Sequence, residues 1–417
     1  MTETPDSARR PSARDSQPAA RDVRIRRCSV VMIEPREHID FDLAGLFAGS
    51  EAIQGTTSWI ALAAHLDGEI ALDLSDIATL GHVGPARWLH RGALAPEVDP
   101  AAVDRLLQTG LLIGDGDDPV HMRHRERDET VRASHWRPLA ALHHVHSRWS
   151  DDRHGEGTRR ARERGMADIM QTHGAPPSHL VERSAATDRI ALPVKSPSEL
   201  DALFDRRATC RNFDQDTPLQ LPVFASIMHR VFGAQAVVEV MPGAFGLKKA
   251  NPSGGALHPL EAYLLVRRVD GVGAGLYHYH PVAHALEPIR ALDPLAADRL
   301  AHLFVAGQGY FADAPVQIVL AARFRRTHWK YRNHAKAYRA ITIEIGHVAQ
   351  NLYLAATEAG LGAYVTAAIN EIDIEREFGL DGMTEGPLAV LGFGRRTAER
   401  TTVEFDPLNT VWSDVSR

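Results

Sequence analysis

Three stretches of the sequence gather side chains that could bind or transform a small molecule. The first, "RRATCRNF", sets Thr209 among Arg206, Arg207 and Arg211. Guanidinium groups donate paired hydrogen bonds to phosphate oxygens, and a hydroxyl adds a short hydrogen bond, so the loop has the chemistry of a phosphate site. A solvated basic corner is the alternative, and the loop alone favours that simpler explanation.

The second stretch, "NPSGGALHPLEAYLLV", begins at Asn251 and places Ser253, Gly254 and Gly255 shortly before an apolar run. Adjacent glycines permit unusual φ/ψ values and leave no side chain between the backbone and its neighbour. The backbone amides of such a turn could therefore lie flat against a planar ring. A tight turn that merely leads into a strand is equally compatible with these residues.

The third stretch, "WKYRNHAKAYR", places Lys330 beside Tyr331. Lysine and tyrosine side chains titrate at about pH 10 when free, and burial beside a cofactor can bring either into use as a proton donor or acceptor. Adjacent Lys-Tyr pairs are common, so the pair alone is a weak signal. Arg395 and Arg396, after the last apolar run, form a second cationic cluster.

From about residue 190 onward, helical and strand patterns alternate. A capping box formed by Ser196 and Glu199, with Pro197 in the first turn, predicts a helix start. The runs "LEAYLLVRRV", "GLYHYHPVAHALEPI", "PVQIVLAARF" and "GPLAVLGFGRR" predict strands. The apolar residues of "AYRAITIEIGHVAQNLYLAATEAGLG" recur in steps of three and four, which predicts a long buried helix ended by Gly360 and Gly362.

Residues 26–115 have the pattern of a smaller module. "CSVVMIEP" predicts a strand, and "TTSWIALAAHLDGEIAL" predicts a helix, a turn and a strand. A further helix begins at Pro100, after Asp99 as its N-cap, and ends at Gly110. Helices followed by paired strands are typical of a winged-helix-like α/β module, which either binds a partner or serves as a structural cap.

Two other segments have biased compositions. Residues 1–25 are rich in Pro, Ser, Ala and Arg, which predicts a disordered basic arm. Residues 116–190 predict a charged helical linker, in which the stretch 121–146 is crowded with histidine. Its "ALHHVH" run lacks the i, i+4 spacing of a helical zinc motif and has no cysteine nearby, so no metal site is expected. Whether the stretch binds anything else stays open.

Composition argues against several classes of protein. The chain has 417 residues, 44% of them hydrophobic, and a formal net charge of -6, so nothing favours nucleic-acid binding. Its two cysteines, Cys28 and Cys210, do not suggest a disulfide framework and fit a reducing cytoplasm. No run of about 18 apolar residues predicts a membrane span, and the N-terminus lacks the apolar core of a signal peptide.

Taken in order, the motifs resemble the nitroreductase-like flavoproteins, and more narrowly the SagB-type dehydrogenases that mature ribosomally made peptides. The resemblance spans about residues 190–400, with "PSGGALHPLE" and "EIGHVAQNLYLAA" as its most specific parts. It implies an α+β, nitroreductase-like fold over residues 191–417. Such proteins dimerise through long helices and bind FMN at the dimer interface.

The resemblance also implies roles for individual residues. The phosphate and ribityl chain of FMN would be held by Arg206, Arg207, Thr209, Arg211 and either Arg395 or Arg396. The isoalloxazine ring would be lined by Ser253, Gly254, Gly255, Ala367 and Ala368. Lys330 and Tyr331 match the pair linked to catalysis in azoline-oxidising members. Thr209 departs from the pattern, which more often has serine there, and the part before residue 190 has no counterpart in a minimal nitroreductase.

The implied function is FMN-dependent dehydrogenation in the maturation of a precursor peptide, for example azoline-to-azole oxidation, by a cytoplasmic homodimer beside other peptide-modifying enzymes. The 26–115 module would bind the leader of the precursor. One alternative is an NAD(P)H-dependent flavin reductase of dehydroamino acids, quinones or nitro compounds. Another is a non-catalytic scaffold with a degenerate flavin site, which presents the peptide to a partner enzyme. Neither nucleic acid nor a membrane is expected as a partner.

Overall fold

The computed structural model describes residues 23–41, 46–47, 53–152 and 166–412. The chain divides into two compact units, Met1–Glu129 and Thr130–Arg417. Most of the predicted basic arm lies outside the described residues. Within the described ranges, no helix combines the length and the hydropathy that crossing a membrane requires.

The described part of the first unit forms two antiparallel sheets and three helices. Its elements are β1 (Arg24–Arg27), β2 (Val31–Phe41), β3 (Ile53–Ala63), β4 (Glu69–Leu72), α1 (Leu74–His82), β5 (Leu89–His90), α2 (Pro100–Thr109), β6 (Leu112–Gly114) and α3 (Pro119–Ala133), which continues into the second unit. The strands are ordered β5–β1–β6 and β2–β3–β4. The apolar faces of β1, α2 and β6 meet in one core, which includes Ile25, Leu106 and Ile113.

The helix predicted in "TTSWIALAAHLD" is wrong, because this segment forms most of β3. β3 pairs with β2 along its whole length, from Val31 opposite Ala63 to Phe41 opposite Ile53. The threonines, tryptophan and isoleucine of the run favour a pleated strand, and pairing with a neighbouring strand overrides the helical spacing of its alanines and leucines. The helix at α2 is confirmed, with Asp99 as N-cap and Gly110 in the left-handed region.

The second unit is built around one larger sheet. Its strands are β7 (Ala236–Met241), β8 (Ala244–Lys248), β9 (Leu260–Val266), β10 (Gly275–His280), β11 (Ala285–Ala291), β12 (Val316–Arg323), β13 (Gly362–Thr366) and β14 (Glu385–Gly394). Its helices are α4 (Pro138–His146), α5 (Met166–His173), α6 (Glu199–Asp205), α7 (Leu221–Phe232), α8 (Pro294–Phe304), α9 (Gly309–Ala312), α10 (Phe324–Lys330), α11 (Ala337–Glu358) and α12 (Glu371–Phe378).

The larger sheet has the order β11–β10–β9–β12–β14–β13, and β7 and β8 form a separate hairpin. Every neighbouring pair in the larger sheet is antiparallel. β12 lies near its centre and is buried on both faces until Arg323. The long helix α11 contacts β13, β14 and α7, and buries Ile341, Val348 and Leu352. The predicted α+β class is confirmed, with the strands and the long helix where the sequence places them.

The start of α6 differs in detail from the prediction. The capping box is formed by Ser198 and Asp201, not by Ser196 and Glu199. Both pairs have the same spacing, so the motif alone cannot choose between them. The ammonium of Lys195 lies 3.3 Å from a carboxylate oxygen of Asp201, which adds an ion pair to the observed arrangement.

The histidine-rich stretch contributes a buried aromatic cluster to the second unit. The His144 ring stacks on Trp136, with centroids 5.2 Å apart, and packs edge-on against Phe324 and Tyr338. His144 Nε2 lies 2.7 Å from the carbonyl oxygen of Gly382 and must carry the proton, because a carbonyl only accepts. Nδ1 then accepts from the Tyr338 hydroxyl at 3.2 Å. Within the described residues, no group of His, Cys, Asp and Glu side chains is placed to hold a metal ion.

Burial makes His144 a source of acid sensitivity. Desolvation lowers its pKa from 6.5 to about 3. The pKa of His144 is lower in the folded chain than in the unfolded chain. The stabilisation that comes from burying neutral His144 is therefore fully present above pH 6.5 and is lost as the pH falls towards 3. His144→Gln keeps a donor for Gly382 but cannot titrate. We expect the wild-type free energy of unfolding to fall more steeply below pH 6.5, by up to about 1.4 kcal/mol per pH unit, than that of the variant.

Urea denaturation between pH 7.5 and pH 4 measures this difference. The neighbouring, exposed His143 provides the control, because His143→Gln should retain the wild-type slope. Equal slopes for wild type and His144→Gln would contradict the assignment.

Candidate functional site

The turn between Ser253 and His258 carries unusual backbone strain. Gly255, Ala256 and His258 have φ values of 68°, 56° and 45°. Glycine adopts this left-handed region freely, whereas an L-residue with a side chain pays roughly 1–2 kcal/mol there. Strain of this kind persists only where surrounding contacts impose it, and it is concentrated at functional sites.

A buried carboxylate on α11 holds the turn. The Ser253 hydroxyl donates to Glu344 Oε2 at 2.6 Å and accepts the backbone N–H of His258 at 2.8 Å. The Asn251 amide donates to Glu344 Oε1 at 3.4 Å. Burial raises the pKa of Glu344, while these hydrogen bonds and nearby Lys249 oppose the rise. Glu344 therefore holds the start of the strained turn, and the Ser253 hydroxyl links that start to the end of the turn at His258.

Two further titratable groups are buried beside Glu344. Burial, and then the charge of Lys249, lower the pKa of His258 to about 4. His258 is therefore neutral at neutral pH, so the 3.7 Å approach of its Nδ1 to Glu344 Oε1 is not an ion pair. Burial also lowers the pKa of Lys249, against the opposing charges of Glu261 and Glu344.

The predicted Lys-Tyr pair meets the turn at Gly255. A Cβ atom built on Gly255 would lie 2.7 Å from the Tyr331 hydroxyl and 2.8 Å from Lys330 Nζ. Both side chains extend from the end of α10, where Lys330 is exposed and Tyr331 is half-buried. The fold thus brings two of the three predicted stretches together, and only a glycine at position 255 permits this approach.

The arginine loop lies against another part of α11. The Thr209 and Tyr353 hydroxyls are hydrogen-bonded at 3.0 Å, and the Arg207 guanidinium lies over the Tyr353 ring, 5.4 Å from its centroid. Arg206 points elsewhere: it is exposed, and its Nε donates to the Ala202 carbonyl at 3.3 Å. Arg207 and Thr209 therefore share one site, and Arg206 is not seen to join them.

Glu404 links the loop to the end of β14. Its Oε1 accepts the backbone N–H of Arg211 at 2.5 Å, and its Oε2 is paired with Arg396. Arg396 also donates to the Ala208 carbonyl at 3.1 Å, whereas Arg395 is exposed. Within the described residues, neither Arg207 nor Arg211 has a carboxylate partner for its guanidinium.

The two alanines lie at the end of β13. Ala367 is exposed, and the carbonyl of Ala368 accepts from Gln308 Nε2 at 2.9 Å. Gln308 and Arg211 line the same cleft of about 830 Å³. Ala368 therefore lies near the cleft that Arg211 lines. Within the described residues, the structure records no contact between Ala368 and the glycine turn.

The geometry of α11 separates the two groups of predicted residues. Glu344 contacts the turn, and Tyr353 contacts the arginine loop. Nine helical residues correspond to about 13.5 Å of rise and about two and a half turns, which places the two side chains on opposite sides of the helix. The glycine turn and the arginine loop therefore contact opposite faces of α11.

Glu344, Tyr353 and Glu404 were missed by sequence reasoning. Glu344 offered a signal, since it is an acidic residue within the apolar run "AITIEIGHVA". Tyr353 follows Leu352 in the same helix and reads as an ordinary core residue. Glu404 lies after the last strand, in a segment without a periodic pattern.

Comparison with known proteins identifies the class. The nitroreductase family profile matches residues 205–395, which contain the turn, the Lys-Tyr pair and the arginine loop. A match of 210 residues at 34% identity aligns 50% of this chain with 98% of the Methanocaldococcus jannaschii protein MJ1384, which is described as a nitroreductase. The chain belongs to the nitroreductase family.

Two peptide-processing proteins are also similar. The trifolitoxin-processing protein TfxB of Rhizobium leguminosarum bv. trifolii is 26% identical over 303 residues, covering 70% of this chain and 79% of that protein. The microcin B17-processing protein McbC of Escherichia coli is 31% identical over 166 residues, covering 37% of this chain and 56% of that protein. Among solved structures, a chain of the E. coli microcin synthetase McbBCD complex with truncated pro-MccB17 bound aligns with 56% of this chain at 24% identity, with a TM-score of 0.40.

Gly255→Ala tests the close approach at the turn. The variant incurs the cost of a positive φ, roughly 1–2 kcal/mol, and its methyl group displaces the ends of Lys330 and Tyr331. Gly360→Ala is the matched control, because Gly360 has a φ of 71° and no atom within 4 Å of its Cβ position. We expect both variants to lose similar stability in thermal unfolding. Crystal structures should show displaced Lys330 and Tyr331 side chains in Gly255→Ala and not in Gly360→Ala. Unmoved side chains in that variant would contradict the contact.

Proposed function

We propose that the protein is an FMN-dependent dehydrogenase that matures a ribosomally synthesised peptide, for example by oxidising an azoline to an azole. The observation that carries the proposal is the contact of Lys330 and Tyr331 with the strained turn at Gly255. Similarity to TfxB adds support, because it covers 70% of this chain and so extends beyond the family profile at residues 205–395.

The residues present fit FMN at both of its ends. Arg207, Thr209 and Arg211 offer guanidinium and hydroxyl donors for a phosphate. The turn at Ser253–Gly255 offers backbone without side chains at Gly254 and Gly255, which suits a flat ring. Oxidation of an azoline to an azole removes one proton and one hydride, and FMN, when bound, supplies the hydride acceptor.

This chain would supply the proton acceptor. Lys330 is exposed and lines a cleft, so a peptide can reach its Nζ, and the Tyr331 hydroxyl lies beside the same Cβ position of Gly255. Either group is within reach of a carbon held over the turn. The two side chains therefore form a general base whose position is set by Gly255.

The geometry of α11 supports a homodimer as part of the proposal. The arginine loop and the glycine turn of one chain contact opposite faces of this helix, so one FMN does not readily span both within a single chain. Pairing of two copies would set the arginine loop of one beside the turn and the Lys-Tyr pair of its partner. Each dimer would then contain two composite sites.

The peptide substrate and its other partners are part of the same proposal. The first unit carries the β2–β3 hairpin and a compact core, which suit a module that binds the leader of a precursor peptide. The buried free thiols of Cys28 and Cys210 are compatible with a cytoplasmic protein. Other peptide-modifying enzymes would form the substrate that this chain oxidises.

A second candidate function is an NAD(P)H-dependent flavin reductase. The match to MJ1384 favours it, because it covers 98% of a protein that is described as a nitroreductase. The two functions differ in their reductant. Consumption of NADPH with a quinone or nitro compound, in the absence of peptide, would favour the reductase.

Arg211→Gln tests the phosphate end of the site. Removing one charge-assisted contact should weaken FMN binding by about 1.5–3 kcal/mol, or roughly tenfold to a hundredfold. Titration of the apoprotein, followed by flavin fluorescence, measures the affinity. Arg299→Gln, an exposed arginine on α8, is the control and should bind FMN as the wild type does. Unchanged affinity in Arg211→Gln would remove this residue from the phosphate site.

Lys330→Gln tests the proton acceptor. The variant should retain the flavin absorbance of the wild type but lose turnover of an azoline-containing peptide by at least about a hundredfold, the usual scale of general-base catalysis. Mass spectrometry follows the loss of two hydrogens from the peptide. Loss of FMN instead would make Lys330 a cofactor ligand.

Mixing the two variants tests the composite site. A heterodimer of Arg211→Gln and Lys330→Gln contains one site with both substitutions and one with neither, if each site draws on both chains. Unfolding and refolding an equimolar mixture should therefore restore part of the activity. If each chain carries a complete site, no restoration is expected.

A further inference from the structure

The second unit opens a cleft of about 1040 Å³ beside Lys330 and Gly255. One wall is the β7–β8 hairpin, where Met241 is 68% exposed and Phe245 is 60% exposed. Another wall contains Trp329, which is 64% exposed. Large apolar side chains grouped in an open cleft are typical of a surface that binds a ligand or a partner.

The cleft is also strongly cationic. Five arginine and lysine side chains line it, against the single carboxylate of Glu385. This excess is local, because the whole chain has a formal net charge of -6. Some of these cationic side chains form ion pairs: Arg323 Nη1 lies 2.9 Å from Glu261 Oε1. Across the part of the chain that the structure describes, Arg325 and Arg332 have no ion-pair partner.

Arg325, Trp329 and Arg332 are spaced to act together. A step of four residues places Arg325 and Trp329 on one face of α10. Arg332 follows just beyond the end of the helix, and all three side chains line the cleft. Together they offer the cleft an apolar indole surface and two guanidinium groups that can donate bidentate hydrogen bonds.

We propose that this cleft binds a substrate segment in which an aspartate or glutamate stands next to a large apolar residue. Arg325 and Arg332 hold the carboxylate, and Trp329, Met241 and Phe245 hold the apolar side chain. The inference rests on the proposed function in that it takes the cleft beside Lys330 as the path of the peptide. It adds the chemistry by which that peptide is selected.

The test compares two blocked ten-residue Gly/Ser peptides that each contain one Phe, followed by Glu in one and Gln in the other. Isothermal titration of the full-length, FMN-loaded protein at low salt measures both affinities. We expect about fivefold tighter binding of the Glu peptide, the scale of a partly exposed charge-assisted contact. Arg325→Gln/Arg332→Gln should abolish this preference, and Arg299→Gln should keep it.

Three outcomes would overturn the inference. The two peptides could bind equally well, or the preference for the Glu peptide could survive in the double variant. The double variant could also lose the dimer in analytical ultracentrifugation, which would make the cleft a contact with the second copy. If the double variant does not fold, the single variant Arg332→Gln, altered at an exposed position, is judged by the same criterion.

The two proposals fail in different ways. A preparation that binds no FMN but prefers the Glu peptide would refute the dehydrogenase and support the cleft. Azoline oxidation without any preference for an acidic neighbour would support the dehydrogenase and refute the cleft.

Discussion

The hydrogen bond between Ser253 and Glu344 is the contact on which the candidate site depends. Glu344 is a carboxylate on a buried helix face, and such a group is costly unless donors surround it. The turn supplies those donors through Ser253 and Asn251. In return, the carboxylate holds a backbone in which Ala256 and His258 both have positive φ. The strained turn and the buried charge therefore stabilise each other, and neither is expected to persist alone.

α11 connects this local contact to the arginine loop of the same chain. A helix is a rigid spacer, so the positions of Glu344 and Tyr353 set both the distance and the angle between the turn and the arginine loop. The helix is itself held by the burial of Ile341, Val348 and Leu352. Small changes in that packing would be transmitted both to the turn and to the arginine loop, which contact opposite faces of the helix.

Much of the second unit could be predicted from the sequence, because its signals are local. The steps of three and four in α11, the glycines near its end and the apolar runs of β9, β12 and β14 each depend on neighbours in the chain. β3 was misread because its pairing with β2 is not local, and the spacing of its alanines and leucines resembles a helical face. The prediction of which residues form the capping box of α6 was wrong for a simpler reason, since two overlapping pairs of residues satisfy the same motif.

The residues that assemble the site could be predicted only in part. Gly255 and the Lys-Tyr pair are visible as motifs, but their contact is a property of the fold. Ser253 and Glu344 are 91 residues apart, Thr209 and Tyr353 are 144 apart, and Arg211 and Glu404 are 193 apart. The periodic pattern of apolar residues carries no information about contacts between residues so far apart in the sequence. The role of His144 was missed likewise, because a histidine-rich stretch reads as solvated until Trp136 and Tyr338 are placed around it.

Access to solvent distinguishes the groups that could move a proton. Burial lowers the pKa of both His258 and Lys249, and both side chains are buried beside Glu344. Lys330 is exposed and lines the cationic cleft, and its Nζ lies 2.8 Å from the Cβ position of Gly255. In the proposed function, a substrate over the turn would therefore reach Lys330 and not the buried His258 or Lys249. Of these three groups, the one proposed as the proton acceptor is thus the exposed one, and the two buried groups stay beside the turn.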